Sequence, residues 1–137
     1  MKKIIFILLI FWNILFANNS YELKLYEKIL PSIFLQMPIK IYTDKDTKKL
    51  LVNSDKFDIL TTCTDAVVVI VGKNFENISQ ECTNKPIFAT SYRWFKKNQN
   101  SFGAFYWRKG RPQLKFKLDI LNKYNLVLPD TFEKYAK

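Results

Sequence analysis

The sequence predicts a single α/β domain: a mostly parallel central sheet covered by helices, with a C-terminal β-hairpin and short helices. The main observation is the unbroken apolar run AVVVIV at 66–71, bounded by Asp65 and Gly72. Such a run, rich in branched side chains, is typical of a strand buried on both faces. An amphipathic helical pattern followed by an alternating stretch at 20–43, and a hairpin pattern at 102–118, complete the prediction.

The composition indicates one globular domain without an obvious catalytic group. The chain has 137 residues, 48% of them hydrophobic and 16% aromatic, which is enough to bury a core. It contains no histidine, the commonest general base and metal ligand. No Gly-rich phosphate motif, Cys-x-x-Cys pair or distinctive carboxylate pair stands out. We therefore expect no catalysis, no cofactor and no bound metal.

Residues 1–17 have the pattern of a secretory signal peptide. Lys2 and Lys3 form the positive end, and Ala17 ends an acceptable cleavage site. An uncleaved anchor is the alternative, although the apolar segment of about 14 residues is shorter than the roughly 20 that span a bilayer. We predict cleavage after Ala17, a mature domain at 18–137 and a periplasmic location.

Charge and cysteine content fit that compartment. The formal net charge of +10 falls to +8 when the two lysines of the signal peptide are removed. In an exported protein this charge indicates anionic small ligands, membrane headgroups or an acidic partner surface rather than nucleic acid. The even pair Cys63 and Cys82 predicts one disulfide bond in an oxidising compartment.

The first elements are a helix and a strand. Residues 20–36 place apolar side chains at helical spacing, with Ser20 as a candidate cap and Pro31 as a point of kinking or division. Residues 38–43 alternate and predict the first strand. Asp44 or Asp46 then caps a short helix at 47–53, and residues 57–61 fit either a short strand or a helical turn.

The middle and the end of the chain add shorter elements. The polar residues 73–83 predict a loop with one helical turn, and residues 86–90 predict another strand. Residues 91–97 predict a short helix capped by Thr90 or Ser91. The last two helices are predicted at 119–124 and from Leu128 onwards.

Residues 102–118 predict a hairpin around the two-residue loop Lys109-Gly110. The pairs that this register directs to the core are Phe105 with Leu114 and Gly103 with Phe116. The residues that it directs to the opposite face are Lys115 and Lys117.

The same register places Arg108 opposite Arg111, which is unfavourable for like charges. Either the loop is longer, or an anion or an acidic partner lies between the two guanidinium groups. Pro112 limits its strand to an edge of the sheet.

A ligand site is expected at the carboxyl edge of the sheet, where open α/β sheets bind ligands. The predicted ligand-binding residues are Thr43, Lys73, Asn74, Thr90, Ser91 and Arg93. The last three combine a helix start, hydroxyls and a guanidinium, which fits a small anion. Ordinary capping with Arg93 in solvent is the alternative. If the strands after Cys63 and Cys82 are parallel neighbours, the cysteines meet at the opposite edge.

A second candidate surface interleaves aromatic side chains with cations. The predicted partner-binding residues are Tyr106, Trp107, Arg108, Lys109 and Arg111, and residues 92–97 continue the pattern. Such residues dominate many protein interfaces and also stack on nucleic-acid bases, which the export signal disfavours. The third interpretation is that Trp94 and Phe95 belong to the core and that Tyr106 covers a helix.

Four features follow one another in order: a signal peptide with a first helix and Pro-led strand (21–43), a cysteine before a buried strand (63–71), a second Pro-led strand (86–90) and a Gly-bearing hairpin leading into a helix. This order resembles the YfiR-like family of small periplasmic proteins. The resemblance implies a regulator that binds the sensor part of an inner-membrane diguanylate cyclase, with the Cys63–Cys82 pair affecting stability. The further cysteines of that family are absent here.

The sequence therefore predicts an exported, non-catalytic binding or regulatory module. The first interpretation is a signalling module that docks on an inner-membrane sensor or receptor through residues 106–111, with peripheral membrane contact. The second is a small periplasmic solute-binding protein for an anionic ligand.

Overall fold

A computed structural model describes residues 20–72, 75 and 79–136. The helices and strands in chain order are α1 (20–33 of the described residues), β1 (Ile39–Thr43), α2 (Lys45–Leu51), β2 (Phe57–Ile59), β3 (Val68–Val71), α3 (Gln80–Thr83), β4 (Ile87–Ala89), α4 (Tyr92–Lys97), β5 (Ser101–Arg108), β6 (Arg111–Phe116), α5 (Leu118–Lys123) and a 3-10 helix (Asp130–Tyr135). The predicted signal peptide and its cleavage site lie outside these residues. Within them, no helix has the length and apolarity needed to cross a membrane.

The strands form one six-stranded sheet in the order β2-β1-β3-β4-β5-β6. Neighbouring strands from β2 to β5 are parallel, and β6 pairs antiparallel with β5. The predicted α/β class is confirmed. The strand order reverses between β1 and β3, and such a reversal opens a crevice at the carboxyl edge of a sheet.

The predicted central strand is β3, which lies between β1 and β4 and has all four residues buried. It is shorter than the apolar run, because Ala66 and Val67 precede it. The Val67 N–H nevertheless donates to the Lys40 carbonyl at 2.9 Å, which ties this end of the run to β1.

The two faces of the sheet carry separate hydrophobic cores. The larger core contains buried side chains of α1, α2, α5 and the 3-10 helix, and its centre is aromatic. The Phe88 ring centroid lies 5.8 Å from that of Tyr26 and 5.7 Å from that of Phe102. The smaller core lies under α3 and α4 and includes Trp94 and Phe95, as one interpretation of the sequence expected.

The helix starts resolve the alternatives left by the sequence. Asp44, rather than Asp46, caps α2 by accepting a hydrogen bond from Thr47 N at 3.1 Å. Ser91, rather than Thr90, caps α4 by accepting one from Trp94 N at 3.2 Å. Each residue sits just beyond a strand in extended backbone, which is the conformation that a cap requires.

Three expectations about element bounds need correction or completion. Ser20 already lies within α1, so it does not cap that helix from outside. The helix runs through Pro31 without dividing and ends at residue 33, three residues before the predicted end. Residues 57–59 form a strand, because their backbone pairs with β1.

The hairpin register is confirmed. Lys109 and Gly110 have φ values of 50° and 73°, the left-handed backbone that a two-residue hairpin loop requires. The register pairs include Gly103 with Phe116, Phe105 with Leu114, and Arg108 with Arg111. The loop is therefore no longer than predicted, and β6 is an edge strand.

The predicted disulfide bond joins Cys63 to Cys82, with 5.4 Å between their Cα atoms. Cys63 precedes β3 and Cys82 lies in α3 before β4, and these strands are parallel neighbours. The bond therefore lies at the amino edge, away from the carboxyl edge, as expected. A disulfide of this kind fits a protein that folds in an oxidising compartment.

Candidate functional site: a cavity at the carboxyl edge

A cavity of about 890 Å³ opens at the carboxyl edge of the sheet, beside the point where the strand order reverses. We call it the carboxyl-edge cavity. Its lining residues are Ser20, Glu22, Leu23, Tyr26, Asp44, Asp46, Thr47, Lys49, Leu50, Asn53, Gly72, Thr90, Ser91, Phe105, Tyr106 and Trp107. Both the volume and the location are those of small-molecule sites in α/β proteins.

One wall of the cavity is the first described turns of α1. Glu22 and Tyr26 are four residues apart, so they lie on one face of the helix. Glu22 Oε1 accepts a hydrogen bond from Trp107 Nε1 at 2.6 Å, which links α1 to the end of β5. Tyr26 is buried, because its ring packs edge-on against Phe88.

The floor is formed where β1 and β3 end. Asp44 follows β1, and its capping hydrogen bond with α2 fixes its carboxylate. The other oxygen, Oδ2, lies against Gly72, at the position that a Cβ there would occupy. A glycine at the end of β3 therefore allows the carboxylate to approach the sheet.

The remaining wall combines hydroxyls with aromatic rings. Thr90 and Ser91 follow β4, and both hydroxyls bond within the protein: Thr90 Oγ1 donates to the Val71 carbonyl at 3.2 Å, and Ser91 caps α4. Phe105 and Trp107 are two residues apart on β5 and share one face of the strand, with ring centroids 5.8 Å apart. This side of the cavity offers apolar surface.

The acidic side chains among the described lining residues outnumber the basic ones. Glu22 and Asp44 accept their hydrogen bonds from neutral N–H groups, which orient the carboxylates without cancelling their charge. Burial raises the pKa of Tyr26, and the charges of Glu22 and Asp44 raise it further. One lining residue, Lys49, is basic, and it is exposed.

The predicted ligand-binding residues are only partly brought together. Thr90 and Ser91 line the cavity, whereas Thr43 uses its hydroxyl to donate to the Ile70 carbonyl at 2.8 Å within the sheet. Arg93 does not line the cavity, because α4 buries Trp94 and Phe95 and leaves Arg93 exposed. Lys73 and Asn74 lie outside the described residues.

The predicted partner-binding residues also separate. Tyr106 is buried at 7% exposure in the core under α4, where its ring lies 5.9 Å from Tyr92, so it is not part of an exposed surface. Trp107 is 38% exposed and is held by Glu22. The exposed residues of the hairpin tip are Arg108, Lys109 and Arg111.

The sequence did not single out Glu22, Tyr26 or Asp44 as a group. Tyr26 belonged to an apolar stripe that is typical of core packing, and Asp44 was interpreted as a helix cap. A signal was present in the i, i+4 spacing that puts Glu22 on the buried side of α1. Within the described ranges, no three acidic or cysteine side chains assemble as metal ligands.

No protein-family model matches this chain, and no curated protein matches it.

Proposed function

We propose that this protein is an exported, non-catalytic binding module of the periplasm, and that the carboxyl-edge cavity is its ligand site. The cavity at the strand reversal is the observation that supports this function. Export is supported by the signal-peptide pattern and the disulfide bond. Binding is favoured over catalysis because the chain has no histidine to activate the hydroxyls that line the cavity.

The lining favours a small organic cation over the anion expected from the sequence. Glu22 and Asp44 supply negative charge, and the cavity has the aromatic side chains of Phe105 and Trp107 on its other wall. Aromatic rings and carboxylates together suit ammonium groups, which are attracted to both. The guanidinium of Arg93, on which the anion site depended, is outside the cavity.

A thermal-shift and calorimetric comparison tests this function. Choline and putrescine are the cationic probes, and acetate and citrate are the anionic ones. A probe at a hundredfold excess over its Kd should raise the free energy of unfolding by about 2.7 kcal/mol. The cations should raise the Tm and the anions should not.

The variant Glu22→Gln/Asp44→Asn should weaken cation binding by at least about tenfold, because charge-assisted hydrogen bonds are lost while their geometry is kept. The matched control is Glu27→Gln/Asp58→Asn, which changes the net charge equally outside the cavity lining. An equal loss in the control, or no cation that stabilises the protein, would contradict the proposal.

A regulator that docks on an inner-membrane sensor is the second candidate. The observation that favours it is the hairpin tip, where Arg108 and Arg111 are directly opposite and both exposed. Two like charges held in register are destabilising, and an acidic partner between them would remove the repulsion.

Affinity capture from inner-membrane extracts tests this docking. The wild-type protein should retain a membrane sensor such as a diguanylate cyclase, and Arg108→Glu/Arg111→Glu should not. Lys45→Glu/Lys48→Glu, an equal charge change on α2, serves as the control. Identical recovery by all three proteins would remove the hairpin tip as a docking surface.

A further inference from the structure

The net positive charge of this protein is concentrated in one segment. Residues 82–118 contain no Asp or Glu. Their basic residues are Lys85, Arg93, Lys96, Lys97, Arg108, Lys109, Arg111, Lys115 and Lys117. The other 100 residues carry the remaining 13 of the 22 basic residues and all 12 acidic ones, so they are nearly neutral. Almost the whole net charge of +10 therefore belongs to residues 82–118.

The fold brings most of these cations to one face. On β5, Ala104 and Tyr106 point into the core under α4, so their antiparallel partners on β6 lie on the α4 side of the sheet. The basic face, as we define it, consists of Arg93, Lys96, Lys97, Arg108, Arg111, Lys115 and Lys117. Its residues come from α4, from the β5–β6 hairpin and from Lys117, which directly follows β6.

Contacts between α4 and β6 make this face continuous. The ammonium groups of Lys96 and Lys115 lie 5.1 and 5.2 Å from the centre of the Tyr92 ring. Lys117 Nζ lies 4.4 Å from the centre of the Phe95 ring and donates to the Phe95 carbonyl at 3.0 Å. The edge strand and the helix thus share one layer of cations over aromatic rings.

The charges of the basic face remain available to a partner. In the part of the chain that the structure describes, an ion pair joins Lys56 to Glu27, and neither residue belongs to the basic face. The pKa of Tyr92 is lowered, first by a hydrogen bond from Lys96 and then by the charges of Lys96, Lys115 and Arg108. Several cations therefore act together on one exposed ring.

We propose that the basic face binds the surface of an anionic phospholipid bilayer. Lipid phosphates form a dense and laterally mobile array of single negative charges, which matches many dispersed cations without requiring a fixed pairing. Tyr92, which is 42% exposed, is the large exposed apolar side chain of α4, and tyrosine suits the bilayer interface. A protein interface would instead need an apolar centre depleted in charge, and α4 and β6 offer none beyond that ring.

Vesicle co-sedimentation tests this surface. The purified mature chain is mixed with vesicles of phosphatidylcholine, with or without phosphatidylglycerol. We expect binding to the anionic vesicles alone, and release when salt is raised from about 0.1 M to about 1 M, because the Debye length falls from about 10 Å to about 3 Å. Binding to neutral vesicles, or no binding to anionic ones, would overturn the proposal.

Arg93→Glu/Lys96→Glu/Lys115→Glu is the diagnostic variant. Each basic residue near an anionic surface contributes about a fivefold change in partitioning, so the triple reversal should weaken binding by at least about a hundredfold. Lys24→Glu/Lys45→Glu/Lys48→Glu carries the same net charge with exposed lysines of α1 and α2 replaced. An equal loss in this control would show attraction by overall charge, and would reject a specific face.

Two further comparisons keep the test decisive. The corresponding triple Gln variant should bind with intermediate strength, and its Tm shows that the effect is not a folding defect. Arg108 and Arg111 are unchanged in both triple variants, so docking of a protein on the hairpin tip can be scored separately. The outcome does not depend on what the carboxyl-edge cavity binds. Capture of an acidic protein without any vesicle binding would reassign the face to that protein.

Discussion

Two tyrosines on opposite sides of the sheet have pKa values that move in opposite directions. Burial raises the pKa of Tyr26, and the carboxylates of Glu22 and Asp44 add to the rise. The pKa of Tyr92 is lowered by a hydrogen bond and by positive charges. One side chain type thus marks a cavity lined by carboxylates and an exposed basic face on the same small domain.

The two regions differ in how the protein positions their charged side chains. In the cavity, hydrogen bonds fix the Asp44 carboxylate to the N-terminus of α2 and the Glu22 carboxylate to the indole of Trp107. The lysines of the basic face lie over aromatic rings instead. A fixed site suits a ligand of defined shape, whereas long side chains over rings suit a partner with many equivalent charges.

The largest expected effect comes from the disulfide bond, which holds the side of the sheet that carries the basic face. Cys63→Ala/Cys82→Ala should lower the free energy of unfolding by about 3 kcal/mol, because the closed loop of 19 residues limits the unfolded chain. Urea unfolding measures the loss. A reducing agent should reproduce it in the wild type and leave the double variant unchanged. Equal stabilities with and without the bond would contradict this prediction.

Alkaline unfolding isolates Tyr26 on the cavity side. Its raised pKa means that folded Tyr26 keeps its proton above about pH 10, where an unfolded tyrosine loses it. Its stabilising contribution is therefore complete below about pH 10 and is lost as the pH rises further. Between about pH 10 and pH 11, the wild type should lose about 1 kcal/mol relative to Tyr26→Phe. Urea unfolding measures the free energy of unfolding of both proteins at each pH. An equal loss in the wild type and in Tyr26→Phe above about pH 10 would refute the prediction.

The smallest effect concerns Tyr92 on the basic face. Lys96→Gln/Lys115→Gln should raise the pKa of Tyr92 towards its ordinary value, because a hydrogen bond and two positive charges are removed. The Tm should stay unchanged, since these side chains are at the surface. NMR titration of the tyrosine ring follows the change, and Tyr92→Phe assigns the signal. A titration curve that does not move would show that these lysines do not act on Tyr92.

Local patterns predicted the elements that place the cavity. The apolar run gave the central strand because β3 is covered on both faces, and the loop residues Lys109-Gly110 set the hairpin register through their left-handed backbone. Asp44 and Ser91 were each predicted as one of two candidate caps, because a cap depends on a few adjacent residues. The disulfide followed from an even pair of cysteines in a chain with an export signal.

The acidic character of the cavity lining could not be predicted from local patterns, because its charged side chains come from segments far apart in the chain. Glu22 on α1 and Asp44 after β1 line the same cavity only once the chain has folded. The assignment of Tyr106 to a docking surface was wrong. It assumed that buried and exposed residues alternate along β5, but six consecutive residues of that strand are buried. The absence of Asp and Glu from residues 82–118 could be read from the sequence. Whether the basic residues of that segment form one face depended on which side of the hairpin lies towards α4.

The two edges of the sheet have a further consequence for how copies of this protein behave at high concentration. An open edge offers unpaired N–H and C=O groups on which another chain can add a strand. At one edge, Pro112 removes a donor from β6 and Arg111 adds charge, while Ala136 pairs with Phe116 at the far end of that strand. At the other edge, β2 is three residues long and exposes Asp58. Both edges therefore discourage strand addition between copies, and this protects the protein from fibrillar aggregation in a crowded compartment.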